Sequence, residues 1–132
     1  MGTTALHTSF QTLPCPTNAD FSSSKYRAVI CSGTDTDVAA NGTAPITGFL
    51  TNSVKDYSAL TDAKVDVAVE GRVRAVAGAA IAMNALVMPT TGGKVITATD
   101  GNYACGRALS TPAADGDECL ILICVAFHET TV

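Results

Sequence analysis

The five cysteines are the residues of this sequence with the widest chemical range, because a thiolate can bind a metal, attack an electrophile or form a disulfide. Cys119 and Cys124 are five positions apart, so on a β-strand their side chains point to opposite faces. No C-x-x-C pair occurs, and the two histidines, His7 and His128, lie near opposite ends. We therefore predict no metal site. The odd number and the lack of a recognisable secretion signal favour reduced, buried thiols, with a disulfide or a cross-subunit pairing as the alternative. The cysteines are Cys15, Cys31, Cys105, Cys119 and Cys124.

Carboxylates cluster at two places, Asp35 with Asp37 and Asp115 with Asp117 and Glu118. Both clusters lie in glycine-containing segments, where Asp favours turns by bonding to nearby backbone groups. Neither has the calcium-loop pattern, and a weak cation site is the alternative interpretation. The sequence also lacks the G-x-S-x-G nucleophile motif and a phosphate-binding loop. We therefore predict no catalytic residue, no cofactor and no enzymatic activity.

The remaining candidate functional residues are arginines and exposed apolar side chains. Arg72, Arg74 and Arg107 are expected to pair with carboxylates in an acidic chain, but Arg is also enriched at protein interfaces. Apolar residues in a segment without a core of its own require a partner surface. We therefore predict a partner-binding role for Phe10, Leu13, Phe21, Arg72 and Arg74.

Length and composition restrict the elements that can position these residues. The 132 residues favour one domain, and 47% are apolar whereas only 5% are aromatic, so Ala, Val, Leu and Ile must build the core. Charged residues make up only 15% of the chain, which leaves a weakly charged surface. The net charge of −4 argues against nucleic-acid binding, which requires Lys and Arg.

An uncharged stretch runs from Ala75 to Gly93 and raises the question of a membrane span. A span needs about 20 consecutive apolar residues, whereas Asn84, Pro89 and a Gly pair interrupt this stretch. The sequence therefore predicts no membrane insertion. Instead we interpret the stretch as the end of one strand, a tight crossover with Ile81 entering the core, and the start of the next strand.

Period-two alternation is the strongest structural signal. Val65, Val67 and Val69 alternate with polar residues, and the alternation continues after Gly71, which predicts a long strand with a bulge or bend at that glycine. Further short strands are expected at roughly ten-residue spacing, which is typical of an all-β sandwich or barrel. They are expected within 25–33, 46–54, 85–90, 94–100, 102–110 and 119–129, the last one buried on both faces.

The chain is expected to divide into an arm and a domain. Residues 1–24 are rich in Thr and Ser, contain Pro14 and Pro16, and lack sustained periodicity. We predict that they form an extended N-terminal arm that orders only against a partner. Residues 25–132 are predicted to form a mainly β domain, with a loop at 34–45 and either a loop or a short helix at 55–63.

The stretch from Val65 to Val125 resembles a family of small tailed-phage head proteins, the capsid decoration or cement proteins. The shared pattern is V-x-G-x-v-x-v-x-a-g-a-A-I-x-x-G-x-x-V, a glycine turn, and G-x-A-l-x-x-a-x-x-G-d-x-x-x-V-x-l. Asn84 stands where the family usually has Gly, and Asn also tolerates left-handed backbone angles. The matching residues are Val69, Gly71, Val73, Ala79, Ala80, Ile81, Val87, Gly93, Lys94, Val95, Gly106, Ala108, Leu109, Gly116 and Asp117.

The resemblance implies a small β-barrel or β-tulip-like domain that assembles as a homotrimer on an icosahedral head. It further implies that the trimer, assembled in the host cytoplasm, binds the major capsid protein on the capsid exterior after expansion. There it would clamp neighbouring capsid subunits and stabilise the head, without catalysis. Two alternatives are another virion structural β-domain, of a tail tube or fibre, and a small ligand-binding β-barrel, which would need a concave pocket with convergent polar groups.

Overall fold

The computed structural model describes residues 8–128, and within the last strand it describes side chains as far as Cys124. The regular secondary structure of the described part is β-strand, apart from one short 3-10 turn at Thr91–Gly93. No helix in this part is long and apolar enough to cross a membrane. The strands are β1 (Ser9–Pro16), β2 (Ala28–Cys31), β3 (Thr36–Val38), β4 (Gly48–Leu50), β5 (Lys64–Val76), β6 (Leu86–Pro89), β7 (Val95–Thr97), β8 (Asn102–Ala108) and β9 (Glu118–His128).

Strand β5 is the central strand of the sheet and pairs with three others. Its alternating residues Val65, Val67, Val73 and Ala75 are buried, as the sequence pattern predicts. One edge of β5 pairs with β1 from Lys64 to Arg72, and the opposite edge pairs first with β4 and then with β9. The antiparallel sheet runs in the order β3-β2-β4-β5-β9-β8-β6-β7 and curls into a half-barrel, which confirms the predicted mainly β barrel-like class.

The first hydrophobic core fills the inside of this curl. The sheet closes on itself where Ala77 forms a bridge with Val95, and the Gly78 amide donates to the Val95 carbonyl oxygen at 2.8 Å. Ile81, from the crossover after β5, is only 4% exposed and enters this core as predicted. Its other members are Ala28, Ala39, Ile46, Phe49, Ala68, Val73, Ala75, Ala77, Val87, Val95, Cys105, Ala108, Cys119 and Ile121.

A second core lies on the opposite face of β2, β4 and the first half of β5. Side chains of successive residues on these strands therefore pack into different cores. Strands that are buried on both faces have unbroken apolar sequences. The strands curve around the second core until β3 reaches β1, where the Thr36 hydroxyl donates to the Pro16 carbonyl oxygen at 2.7 Å. The core comprises Cys15, Phe21, Val29, Leu50, Tyr57, Val65 and Val67.

Of the bulge or bend predicted at Gly71, the structure shows a bulge, two residues before this glycine, and a close approach of β1 at the glycine itself. The pairing with β1 shifts register between Gln11 and Thr12, which leaves Val69 as the extra, bulged residue of β5. Gly71 itself has φ +106°, and a Cβ atom there would lie 2.2 Å from the Ser9 carbonyl oxygen. Only glycine therefore lets β1 lie this close to β5.

The crossover between β5 and β6 also follows the sequence interpretation. Asn84 has φ +68°, the left-handed conformation that the resemblance placed at this position. The turn at the 3-10 segment joins β6 to β7 as an antiparallel hairpin, as predicted.

Three sequence expectations differ from the structure. Thr36–Val38, expected within a loop, forms β3, because pairing with β2 supplies its backbone hydrogen bonds. Strand β9 is not buried throughout, since Leu122 is 40% exposed and Cys124 is exposed. Residues 9–16 of the expected arm are extended, but they pair with β5 of the same chain instead of requiring a partner to order them.

Candidate functional site

A groove of about 250 Å³ brings together two of the residues expected to bind a partner, Phe10 and Arg74. It opens between β1, the segment before β2, the end of β4 and the bend of β5. We call it the β5 groove. Its lining residues are Thr8, Phe10, Tyr26, Leu50, Thr51, Asn52, Ala68, Val73 and Arg74.

Tyr26 is the most constrained residue of the β5 groove. Its φ of +65° lies in the left-handed region, which is unfavourable by about 1–2 kcal/mol for a residue with a Cβ atom. Two cations lie near its ring, Lys25 Nζ at 5.5 Å and the Arg74 guanidinium carbon at 5.9 Å from the ring centroid. Such strain, held by the surrounding structure, is typical of functional sites.

Arg74 also forms an ion pair with Glu118. Its Nη1 lies 3.2 Å from Glu118 Oε1, and both side chains are more than a third exposed, so the pair itself contributes little stability. Its role is to fix the guanidinium at the wall of the groove. The expected pairing of arginine with a carboxylate is confirmed for Arg74.

Phe10 and Leu13 lie on β1 and keep large exposed fractions, 39% and 47%. Within the described residues, β1 pairs with β5 along one edge and with no strand along the other. The two side chains are three positions apart and so point to opposite faces of β1. Each offers apolar surface beside a free strand edge, which is the arrangement that accepts a further strand or a partner.

Phe21 does not belong to this surface. It is 3% exposed and packs edge-on against Tyr57, with the ring centroids 6.3 Å apart. The sequence placed it with Phe10 and Leu13 because all three precede the first predicted strand. Its burial in the second core argues against direct contact with a partner.

Arg72 lies outside the β5 groove, on the outer face of the sheet. Pairing across the strands aligns it with Leu122 of β9 and then with Arg107 of β8. The Arg107 Nη1 donates to the Asn84 carbonyl oxygen at 2.8 Å, whereas Arg72 has no ion-pair partner among the described side chains. This row, Arg72–Leu122–Arg107, presents an exposed leucine between two cations.

Burial holds three of the five thiols, those of Cys15, Cys105 and Cys119, in the neutral form. Burial raises the pKa of Cys105 and of Cys119 to about 12. The pKa of Cys15 is also raised to about 12, mainly by burial and to a smaller extent by the neighbouring Cys31 thiol. A protonated thiol is a poor nucleophile and a poor metal ligand. In the part of the chain that is described, no three His, Cys, Asp or Glu side chains are grouped to hold a metal ion.

The acidic turn after β8 has a structural role. Asp117 Oδ2 accepts hydrogen bonds from the backbone amides of Ala113 and Ala114, at 3.0 and 3.1 Å. Asp115, in the same turn, forms an ion pair with Lys94 from the segment before β7, with 2.8 Å between Asp115 Oδ1 and Lys94 Nζ. These contacts confirm the interpretation of this cluster as turn chemistry.

Tyr26, Leu122 and Arg107 are the surface residues whose placement sequence reasoning missed. Tyr26 stood at the start of a predicted strand, and no local pattern signals its positive φ. Leu122 was expected inside a strand buried on both faces. The arginine row could have been found from the β5–β9–β8 register, which is set by contacts far apart in sequence.

Comparisons with known proteins show a related fold and a family. The head fiber gp8.5 N base of bacteriophage phi29 has a similar structure, with a TM-score of 0.66 and 18% sequence identity over 88% of this chain and 95% of that one. At this identity the likeness concerns the fold alone. No curated protein matches the sequence. The family model of the phage cement proteins matches residues 24–123. The chain therefore belongs to the phage cement protein family and is a structural component of the virion capsid.

Proposed function

We propose that this chain binds the outer surface of an icosahedral phage head as a homotrimer, clamps neighbouring major capsid subunits and so stabilises the expanded shell. The match of residues 24–123 to the cement protein family carries the proposal. The surface of the chain supports it: charged residues make up only 15% of the sequence, and large apolar side chains are exposed on β1 and β9. A surface of this kind, weakly charged and partly apolar, favours contact with other proteins.

A clamp of this kind works by adding buried area across joints between capsid subunits. A standard protein interface buries about 1,200–2,000 Å² in total. Three copies in one trimer act together, because binding of the first copy raises the effective concentration of the other two at their sites. A modest contact per copy is then sufficient to hold a joint closed.

The contact surface that we propose runs from β1 over the β5 groove to the arginine row. Phe10 and Leu13 supply exposed apolar area, and the free edge of β1 supplies unpaired backbone groups for strand addition. Arg72, which has no ion-pair partner among the described side chains, supplies a cation for a carboxylate of the partner, and Arg74 lies at the wall of the groove. In this proposal residues 1–24 act as the arm and residues 25–132 as the body, the arm making the intersubunit or capsid contact.

The first experiment measures mass in solution and binding to heads. Purified protein should have the mass of a trimer by light scattering and should co-sediment with expanded heads that lack it. Leu13→Ser should weaken head binding at least tenfold. Leu60→Ser is the matched control, because Leu60 is also 47% exposed but lies in the loop before β5. A monomer that does not sediment with heads would refute the proposal.

A second experiment tests the charge. Arg72→Glu should reduce head binding about tenfold and weaken its dependence on salt, because an interfacial ion pair is lost. Lys64→Glu changes the charge equally at an exposed position at the other end of β5 and should bind as the wild type does. Equal head binding by both variants would show that Arg72 is not part of the contact surface.

The likeness to a head fiber base supports a second candidate, in which the chain anchors a fibre on the head. A cement protein would appear on decorated heads as low knobs at threefold positions. A fibre base would carry a projecting shaft that other chains supply. Electron microscopy of complete virions with labelled protein distinguishes the two.

A further inference from the structure

Cys15 and Cys31 lie together where β3 and β1 meet around the second core. Cys15 is near the end of β1, and Cys31 ends β2 and pairs with Thr36 of β3. The Thr36 hydroxyl oxygen lies 3.5 Å from Cys31 Sγ and 2.7 Å from the carbonyl oxygen of Pro16, the residue after Cys15. We call this contact region the β1–β3 seam.

The two side chains share one environment at this seam. Cys15 is a member of the second core, and Cys31 packs against the same core from its partly exposed position. The Cys31 thiol is close enough to Cys15 to contribute, after burial, to the raised pKa of Cys15. Both are free thiols in the structure.

We propose that Cys15 and Cys31 form an intrachain disulfide that covalently closes the β1–β3 seam when the protein meets a low-molecular-weight disulfide oxidant. The inference concerns the chain itself and holds whether or not the chain binds a phage head.

The reaction is thiol–disulfide exchange in two steps. The accessible Cys31 thiolate attacks one sulfur of oxidised glutathione and expels one glutathione thiolate, which leaves a mixed disulfide on Cys31. The Cys15 thiolate then attacks the Cys31 sulfur and expels the second glutathione thiolate. The protein loses two electrons and two protons, and oxidised glutathione gains both as two glutathione thiols.

Accessibility makes Cys31 the entry point. Cys105 and Cys119 are 1% and 0% exposed within the first core, where glutathione has no access. Cys124 is exposed but has no thiol neighbour described beside it, so it is expected to stop at the mixed disulfide. The raised pKa of Cys15 makes the second step slow at neutral pH and faster at alkaline pH, since only the thiolate attacks.

The cross-link has a structural consequence for β1. Across the seam, the Thr36 hydroxyl donates a hydrogen bond from β3 to the Pro16 carbonyl oxygen. A disulfide there restricts the unfolded chain by closing the loop between the two cysteines and keeps the end of β1 at the body. The oxidised protein should therefore resist unfolding at higher urea than the reduced protein.

The experiment treats the full chain with oxidised glutathione at about pH 8.5, near the ordinary thiol pKa, and maps peptides after alkylation without reduction. Lys25 and Arg27 lie between the two cysteines, so trypsin releases Cys15 and Cys31 on separate peptides unless a disulfide joins them. We expect the joined peptide, a higher urea midpoint and at least tenfold slower amide exchange in β1, all reversed by a reductant.

Two variants make the outcome unambiguous. Cys31→Ser should abolish the joined peptide and the shift in urea midpoint, whereas Cys124→Ser should retain both. Circular dichroism of each reduced variant checks that the β-fold is intact. Recovery of Cys15 as a freely alkylated thiol from oxidised wild-type protein, with glutathione on Cys31, would overturn the proposal. An oxidised protein with an unchanged urea midpoint would overturn the structural consequence.

Discussion

Thr36 of β3 donates a 2.7 Å hydrogen bond from its side-chain hydroxyl to the main-chain carbonyl oxygen of Pro16 on β1. Thr36 is 0% exposed, although it is polar and belongs to a strand of only three residues. Because β3 and β1 are far apart in the strand order of the sheet, this bond closes the second core. A buried threonine thus holds the segment that exposes Phe10 and Leu13.

Thr36→Val keeps the shape of the side chain and removes the hydroxyl. The Pro16 carbonyl oxygen then loses this donor in a partly buried site, which costs about 1–3 kcal/mol. The free energy of unfolding in urea should fall by this amount. Thr12→Val, at an exposed position on β1, should change it by less than about 0.5 kcal/mol. Equal stability of the two variants would show that the Thr36 bond does not hold β1.

Gly71→Ala tests the close approach of β1 to β5. The new Cβ would lie 2.2 Å from the Ser9 carbonyl oxygen, so β1 must move away from the bend. We expect the free energy of unfolding to fall by about 2–4 kcal/mol and amide exchange in β1 to become faster.

Gly33→Ala is the matched control for this change. Gly33 has φ +93°, similar to Gly71, but a Cβ atom added there would have no atom within 4 Å. In Gly33→Ala the free energy of unfolding should fall by only about 1–2 kcal/mol, the cost of a positive φ for a residue with a Cβ atom. If both variants lose the same stability, the clash with Ser9 contributes nothing.

Ile81→Ala tests the residue that enters the first core from the crossover. Ile81 is 4% exposed, and truncation of such a buried side chain costs about 2–5 kcal/mol. Met83→Ala, two residues along the same crossover and 51% exposed, should cost less than about 1 kcal/mol. Thermal unfolding of both variants measures the difference, and similar melting temperatures would contradict the placement of Ile81.

The features that the sequence predicted well are those that one strand encodes by itself. The alternation around β5 placed Val65, Val67 and Val73 in the core, and Gly71 marked the bend. The crossover with Ile81 and the glycine turn between β6 and β7 were equally local. In each case the signal comes from residues that are close together in the sequence.

The features that the sequence did not predict depend on contacts between distant segments. Phe21 was grouped with Phe10 because both precede the first predicted strand, but Tyr57 from a later loop buries it. Leu122 was expected to be buried because its strand is apolar, yet the barrel covers only one of its faces fully. The arginine row exists only once β5, β9 and β8 are in register.

The buried thiols predict how stability depends on pH. Burial raises the pKa of Cys105 from its ordinary 9.0 to about 12, and Cys15 and Cys119 shift by the same amount. Above pH 9 the unfolded chain has released thiol protons that the folded chain still binds, so unfolding releases protons. The stability from these neutral thiols is therefore complete below pH 9 and is lost as the pH rises towards 12.

Each thiol contributes at most about 1.4 kcal/mol of lost stability per pH unit in this window. Under reducing conditions, the free energy of unfolding should fall between about pH 8 and about pH 10.5, more steeply for the wild type than for Cys105→Ala. Val87→Ala also removes buried volume from the first core but no thiol, so it should be less stable at every pH and keep the wild-type slope. A Cys105→Ala slope equal to that of the wild type would mean that this thiol titrates alike in the folded and unfolded chains.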